Sequence, residues 1–464
     1  MGKCKLLKYT YPKWDPKLEK RFMAGWDKEF LSVVRKRDNH QGNWMTAISA
    51  AFMSTAIFKN DNALLSLSLE RFNVYMPVNA IYESGQSIEV SRDLNHAQVG
   101  IASLIQMSEY GWNQGVDLYS KLDNRLAATL EFTAKEILSG TDKWRDNEYK
   151  PVMYEMGYNH YHNRMGMEMP YTKQIIDKHG VENIYQCWGL GTFLKGKIDE
   201  NKPVTIYGWR FDPVYRGVAC NIKMKSYGGQ TPVKWSLGSS TKLPSGLSLQ
   251  SNGSFKGKIT ASAGIYKFKV KVTDRNGIVD EQQCIMEIKE LKNSKNVRGT
   301  KPGLRYEISA KPFSKDPGVE SEIDGKKGYA DNLTFDVAKT KEYGLRFSGY
   351  IEVPEDGKYV FFVGAENQHC LYIGDTLVKN EWMGDPRARL KPVWQNIGYE
   401  IGLEAGKHPF CLIVNNGNYK RHFRKPWDKW DFGSMRGVLQ LNWITPSGQK
   451  QKPVSTSAYS TAPK

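Results

Sequence analysis

Residues 89–96 read Glu-Val-Ser-Arg-Asp-Leu-Asn-His. If this stretch enters a helix, Glu89, Arg92 and His96 fall at i, i+3 and i+7 and stack on one face. A carboxylate, a guanidinium and an imidazole so placed can orient one another and meet an anion, and the imidazole can act as acid or base. The ordinary alternative is a surface ion pair between Glu89 and Arg92, worth roughly a few tenths of a kcal/mol.

A second cluster lies at 158–164, Tyr-Asn-His-Tyr-His-Asn-Arg. In an extended conformation Tyr158, His160, His162 and Arg164 share a face and Tyr161 lies opposite. A phenol titrates near ~10, so a tyrosine serving as base needs a cation such as Arg164 beside it. Tyr158 and Tyr161 both qualify, and the spacing does not separate them. The His160-x-His162 spacing also suits a metal pair, but no third ligand accompanies it and no metal is expected. The Asn43 amide can meet an anion or simply cap a helix, where Asn is favoured. Much later, Arg421-His422-Phe423-Arg424-Lys425 and Trp427-Asp428-Lys429-Trp430-Asp431-Phe432 interleave aromatic rings with cations, as an acidic glycan would need or as a packed loop would.

The elements that carry these residues change character along the chain. Apolar residues recur at helical spacing over 44–58, 62–76, 94–109 and 124–138, so residues 1–200 read as helical hairpins. Beyond Asp199 the runs shorten. Ile265 to Val272 alternates strictly and ends in Asp274-Arg275-Asn276-Gly277, a strand and its turn, so 201–290 reads as a small β-sandwich. The basic, Gly- and Pro-containing stretch 291–303 reads as a linker. Strands return over 304–446, among them Tyr359–Val363 and Cys370–Ile373. The polar tail 447–464 is expected to be disordered.

The 464 residues carry 66 Lys and Arg against 49 Asp and Glu, a net charge of +17. Such a surface attracts polyanions. No basic zipper, zinc finger or RNA-recognition signature is present, so nucleic acid is not expected as the partner. No apolar run reaches the ~18 residues of a membrane span. The start, Met1-Gly2-Lys3-Cys4-Lys5, leads into no apolar run, and no signal peptide is read there. Of six cysteines (Cys4, Cys187, Cys220, Cys284, Cys370, Cys411), Cys220 with Cys284 and Cys370 with Cys411 each fall within one expected domain, as disulfides or as buried thiols.

Four stretches carry a resemblance: Gly42-Asn43-Trp44; Glu89 to Gln98; Trp112-Asn113-Gln114-Gly115-Val116-Asp117-Leu118-Tyr119 with Asn124-Arg125-Leu126; and Tyr158 to Arg164. Together, over roughly residues 20–195, they resemble the alginate lyase family of polysaccharide lyases. That resemblance implies an (α/α) toroid, here incomplete and short at its N-terminal side. Leu243-Pro244-Ser245-Gly246-Leu247 and Asn252-Gly253-Ser254-Phe255 resemble bacterial immunoglobulin-like modules. Phe347-Ser348-Gly349-Tyr350, Glu355-Asp356-Gly357-Lys358-Tyr359 and Leu371-Tyr372-Ile373-Gly374-Asp375 resemble the protective-antigen-type β-sandwich. Sugar-binding members of that type hold calcium on an adjacent Asp pair. Glu366-Asn367 stands there in this chain, so no calcium and no other cofactor is expected.

The resemblance therefore implies a multidomain chain, an all-α incomplete toroid followed by two all-β sandwiches. It implies a lyase that splits a uronic-acid polysaccharide, such as alginate or a glucuronan, by β-elimination, secreted or periplasmic, with an acidic polysaccharide as partner. The alternative is a glycan-binding or adhesion protein derived from such a lyase. For the reaction, the resemblance gives Asn43 and His96 a share in carboxylate neutralisation or proton transfer and implies a tyrosine as the proton-transfer residue. The residues themselves offer Tyr158 or Tyr161 for that tyrosine, and Arg92 on the helix face of His96 as a further catalytic group. Glu89, His160, Arg164, Gln114 and Trp44 are the expected substrate contacts.

Overall fold

The computed structural model describes residues 11–36, 43–79, 85–87, 94–139, 153–180, 203–309, 325–338, 343–365, 368–380, 399–416, 439–448 and 452–462. Its contacts divide into two compact units, residues 1–208 with 225–231, and residues 209–224 with 232–464.

The first unit is helical. Helix α1 (Pro16–Gly25) starts where the Asp15 carboxylate accepts from the Lys17 amide at 2.8 Å, with Pro16 in the first turn where its missing N–H is not needed. It runs through a π-turn (Trp26–Leu31) into α2 (Ser32–Lys36). Helix α3 (Asn43–Lys59) carries a single charge, Lys59, at its end and buries residues on nearly every side, as a helix apolar all round must. Helices α4 (Asn62–Asn79) and α5 (Leu94–Asn113) pack with it, and α5 buries an unbroken run from Ala97 to Ile105. All four helices expected from the apolar spacing are present.

Helix α6 (Lys121–Leu138) begins irregularly, with Leu122, Asp123 and Asn124 at positive φ before a regular course from Arg125. Its Glu131 caps the next long helix, α8 (Pro170–His179), by accepting from the amides of Tyr171 (3.1 Å) and Thr172 (2.8 Å). Between them, α7 (Tyr154–Tyr158) continues as a π-turn, Asn159–Arg164. The extended conformation expected for 158–164 is therefore replaced by a helical one, and its faces regroup at i and i+4. Hydrogen-bond satisfaction inside a helical core favours this over a lone buried strand. The unit closes with an antiparallel strand pair, Thr205–Tyr207 with Lys225–Tyr227.

The second unit holds two β-structures. The first sheet has β1 (Val214–Tyr215), β2 (Lys234–Leu237), β3 (Gly264–Thr273) and β4 (Val279–Lys289), in the order β1-β4-β3-β2, with β1 parallel to β4. Phe268, Val270 and Val272 of β3 face inward and alternate with Lys267, Lys269 and Lys271. The expected turn is there: Asp274 Oδ1 accepts from the amides of Asn276 (2.9 Å) and Ile278 (2.8 Å), and Gly277 takes φ 79°.

A two-sheet sandwich follows. Strands β5 (Leu304–Ser309), β6 (Lys327–Ala330), β7 (Tyr343–Val353), β8 (Gly357–Ala365), β9 (Gln368–Ile373), β10 (Thr376–Asn380), β11 (Tyr399–Leu403), β12 (Gly406–Asn416), β13 (Leu439–Ile444) and β14 (Tyr459–Thr461) build it. One sheet runs β6-β5-β7-β12-β9-β10, with β14 added to β7 and the short strand Lys301–Pro302 added to β14, and the other runs β11-β8-β13 with the short strand Lys452–Pro453 at its edge. A core including Leu345, Phe347, Phe361, Leu412 and Trp443 fills the space between.

Two sequence expectations are corrected. The linker 291–303 is zipped onto the sandwich: the Lys292 amide donates to the Gly402 carbonyl at 2.9 Å and that of Lys295 to Lys407 at 2.7 Å. The tail is not disordered over 452–462. Its Tyr459 is 2% exposed and its strand pairs with β7, because one buried aromatic ring outweighs the polar composition around it. Cys220, Cys284, Cys370 and Cys411 are free thiols, and burial pushes Cys284 up to about 12 and Cys411 up to about 11. Cys4 and Cys187 lie outside the described residues.

Candidate functional site

One cluster of titratable side chains in the helical unit lies at the C-terminal end of α5. There Glu109, 6% exposed, stands as a carboxylate inside an apolar helix face. Arg164 answers it, with Nη1 at 3.3 Å and Nη2 at 3.4 Å from the two oxygens, and the Tyr119 hydroxyl donates to it at 3.0 Å. An ion pair this deep is held by geometry and added hydrogen bonds, since desolvation opposes it. Arg164 also lies over the Trp112 ring at 5.3 Å. The helical turn at 159–164 makes this possible by setting Arg164 four residues from His160, on the same face.

His160 is sandwiched among aromatic rings. It stacks on Tyr119 at 3.7 Å and meets Trp112 edge-on at 4.7 Å. Its Nδ1 is 3.4 Å from Arg164 Nη1. A guanidinium only donates, so Nδ1 accepts. His162 turns the other way: it stacks on Tyr158 at 4.7 Å and donates from Nδ1 to the Met167 carbonyl at 2.8 Å. The two histidines thus diverge, and among the described residues no three metal-ligating side chains converge.

The two candidate tyrosines differ sharply. Tyr161 is fully buried, its hydroxyl donates to the Tyr119 carbonyl at 2.8 Å, and burial raises its pKa well above the ordinary value. Tyr119 is raised likewise, by burial first and then by Glu109. Tyr158 is only partly buried. Burial raises it too, Lys173 lowers it less, and Asp177, Glu168 and Glu131 add to the rise. Arg164, expected to favour a phenolate, is committed to Glu109 instead.

The strand pair after the helices completes the cluster. Tyr207 stacks on Trp112 at 4.7 Å, and Lys225 lies 5.8 Å from the Tyr207 ring centre. Lys225 also reaches Asp117 at 3.0 Å. Burial alone would raise the Asp117 carboxyl, but the Ser120 hydroxyl and amide and the Lys225 ammonium outweigh it and hold it below the usual range. Nothing in the sequence marks Lys225 as the partner of a residue 108 positions earlier. Glu109 had a signal, as a carboxylate in a long apolar helix.

His96 sits at the other end of α5, half-buried. Thirteen residues separate it from Glu109, about 20 Å along the axis at ~1.5 Å per residue. The structure thus brings His160 and Arg164 together at Trp112, with Tyr161 edge-on to His160, and leaves His96 apart from them. Asn43 is buried at the start of α3, where its carbonyl accepts from the Thr46 hydroxyl at 2.8 Å, while Trp44 is 62% exposed. Gln114 is half-buried in the turn after α5. Glu89 and Arg92, Glu366-Asn367 and the aromatic cluster at 421–432 lie outside the described residues.

Comparison with known proteins adds three family matches. The alginate lyase family model covers residues 1–144, the Ig-like He_PIG model 214–288, and the PA14 domain model, a β-sandwich, 300–455. No curated protein matches the chain. Among solved structures, an anti-sigma factor domain-containing protein from Clostridium clariflavum is similar at 18% identity, over 51% of this chain and 77% of that one, with a TM-score of 0.24. The Epithelial Adhesin 9 A domain from Candida glabrata, solved with Galb1-3GlcNAc, is 12% identical over 36% and 93%, at 0.25. The PA14 domain of the MpAFP antifreeze protein is 15% identical over 37% and 97%, at 0.24. His96 falls inside the alginate lyase match and the 158–164 cluster beyond it. In chain order, then, this protein carries an alginate lyase match on its helical region, an Ig-like match and a PA14 match.

Proposed function

We propose that the chain is a polysaccharide lyase that cleaves a uronic-acid polymer by β-elimination, with its β-domains as accessory modules. The observation that carries this reading is the alginate lyase match over residues 1–144, which contains Asn43, Trp44, Glu89, Arg92, His96 and Gln114. In the reaction a base takes the C5 proton, the C4–O4 bond breaks, a C4=C5 double bond forms, and the departing O4 takes up a proton. The C5 carbon acid is weak, so donors on the uronate carboxylate must stabilise the enolate-like transition state. Asn43, Arg92 and His96 supply an amide, a guanidinium and an imidazole for that task, with Glu89, Gln114 and Trp44 as substrate contacts. Tyr158 is the better proton-transfer tyrosine, because the Tyr161 hydroxyl is spent on a backbone carbonyl in full burial. A uronic-acid polysaccharide is met outside the cytoplasm, so the chain acts as a secreted or periplasmic protein. No helix among the described residues is long and apolar enough to cross a membrane.

Incubation with alginate, glucuronan and glycosaminoglycans, followed by ultraviolet absorbance of the unsaturated product, tests the proposal. Product should form from at least one uronate polymer and fall by at least about a hundredfold in His96→Ala, the scale of losing a general acid–base group. No product from any of them ends the lyase reading. A second reading, glycan binding without cleavage, is favoured by Arg164 being paired with Glu109 and Tyr161 being bonded to Tyr119. Polymer binding with no product, unchanged in His96→Ala, is its signature.

A further inference from the structure

The outer face of the larger sheet of the sandwich carries a second charged cluster. Glu307 of β5 is 6% exposed at its side chain and is approached by three cations. Arg346 of β7 grips it through Nε at 2.7 Å and through Nη2. Lys327 of the edge strand β6 lies 3.2 Å from its Oε1, and Arg305 of β5 lies 3.5 Å from the same oxygen. The register explains the convergence: Glu307 is paired with Lys327 on one side and Arg346 on the other, while Arg305 precedes it by two on the same face.

One carboxylate does not exhaust these donors. Arg346 places both its Nε and its Nη2 donors on Oε2 and is 20% exposed. Arg305 and Lys327 share the single remaining oxygen and their side chains stay 47% and 54% exposed, so one shared oxygen cannot take up their five and three N–H groups. Directly opposite Arg305 in the ladder is Tyr329, 52% exposed on the edge strand. Two held cations beside a half-exposed aromatic ring match the two halves of an acidic sugar, a carboxylate and an apolar pyranose face.

We propose that Arg305, Lys327 and Tyr329 form a binding site for a uronate unit of an acidic polysaccharide, with Glu307 and Arg346 as positioning residues. Guanidinium and ammonium take the carboxylate, and the ring takes the sugar face. Glu307 fixes both long side chains beforehand, which lowers the ordering cost on binding. The proposal rests on the acidic-polymer part of the reading above, and it stands apart from the cleavage step.

The test is binding of the full chain to alginate and to glucuronan by titration calorimetry, in a His96→Ala background so that the probe stays intact, with dextran as the neutral control. Arg305→Gln/Lys327→Gln should weaken binding about tenfold or more, and Tyr329→Ala about threefold or more. Lys267→Gln/Lys271→Gln removes the same charge from the exposed face of β3 and should change binding less than about twofold. Unchanged thermal melts establish that the variants fold. The site is overturned if neither uronate polymer binds, if dextran binds as well, or if the two double variants lose affinity equally, since net charge alone would then explain it. Ultraviolet product from the same samples carrying His96 separates the two readings. Absence of product with Arg305- and Lys327-dependent binding ends the lyase proposal and supports this one.

Discussion

Glu109 and Asp117 are two carboxylates of one helical unit, held in different ways. Glu109 is closed in by Arg164, Tyr119 and Trp112, and the pair fixes the turn that bears His160. Asp117 sits nearer the surface, with Ser120 and Lys225 outweighing the burial that would raise it. The sign of its pH effect follows. A carboxyl lowered by folding contributes stability that is present above its unfolded value and lost as pH falls through its folded value. The unit should therefore lose this contribution below about pH 4. Asp117→Asn should cost on the order of 1–2 kcal/mol at pH 7, and the gap to the parent should close in acid. Denaturant melts between pH 7 and pH 3 read this directly, and a gap independent of pH contradicts it. Only half of this arrangement could be read beforehand. Asp117 and Tyr119 stood out as motif residues, but a partner brought in across a chain reversal from position 225 leaves no local trace.

At the scale of elements, sequence period and burial agreed wherever an element was long and one-sided or wholly buried. The apolar spacing found α3 to α6 within a few residues, and strict alternation found β3, because those patterns are what the core selects. They failed where an element was short or polar. The 158–164 segment offered no apolar period, and its helical course follows from continuation of α7 and from the Arg164–Glu109 pair. The tail failed for the same reason in reverse: two lines of composition concealed one anchoring ring. Tyr459 meets Phe410 at 5.5 Å, and its strand pairs across Ile351. Tyr459→Ala should cost about 3–5 kcal/mol, as removal of a fully buried aromatic ring does, and lower the melting temperature of the sandwich. A variant that melts like the parent would show that the tail strand adds nothing to the fold.

Across the whole molecule, the boundary that composition drew at 291–303 separates two regions that the fold joins. The first β-sheet and the sandwich lie in one compact unit. The Lys292 amide donates to the Gly402 carbonyl and its carbonyl accepts from the Glu404 amide at 3.0 Å, so the supposed linker extends the ladder beside β11. Tyr215 of β1 seals the contact by lying against Gly402 so closely that a Cβ there would come within 2.1 Å of its Cε1. That is backbone-to-ring packing, which only glycine permits, and no composition shift could reveal it. Burial at this contact pushes Tyr215 up to about 12. A shared, tightly packed boundary makes two regions unfold as one cooperative body. Hydrogen exchange along a denaturant series should therefore find β3 and β4 losing protection together with β7 and β12. Gly402→Val must displace the Tyr215 ring, and the overpacking should cost about 1–3 kcal/mol. It should also split the single transition, with β3 and β4 opening at lower denaturant than β7 and β12. Separate transitions already in the parent chain would mean that the Tyr215 contact does not couple the regions, and the boundary at 291–303 would then be a true one.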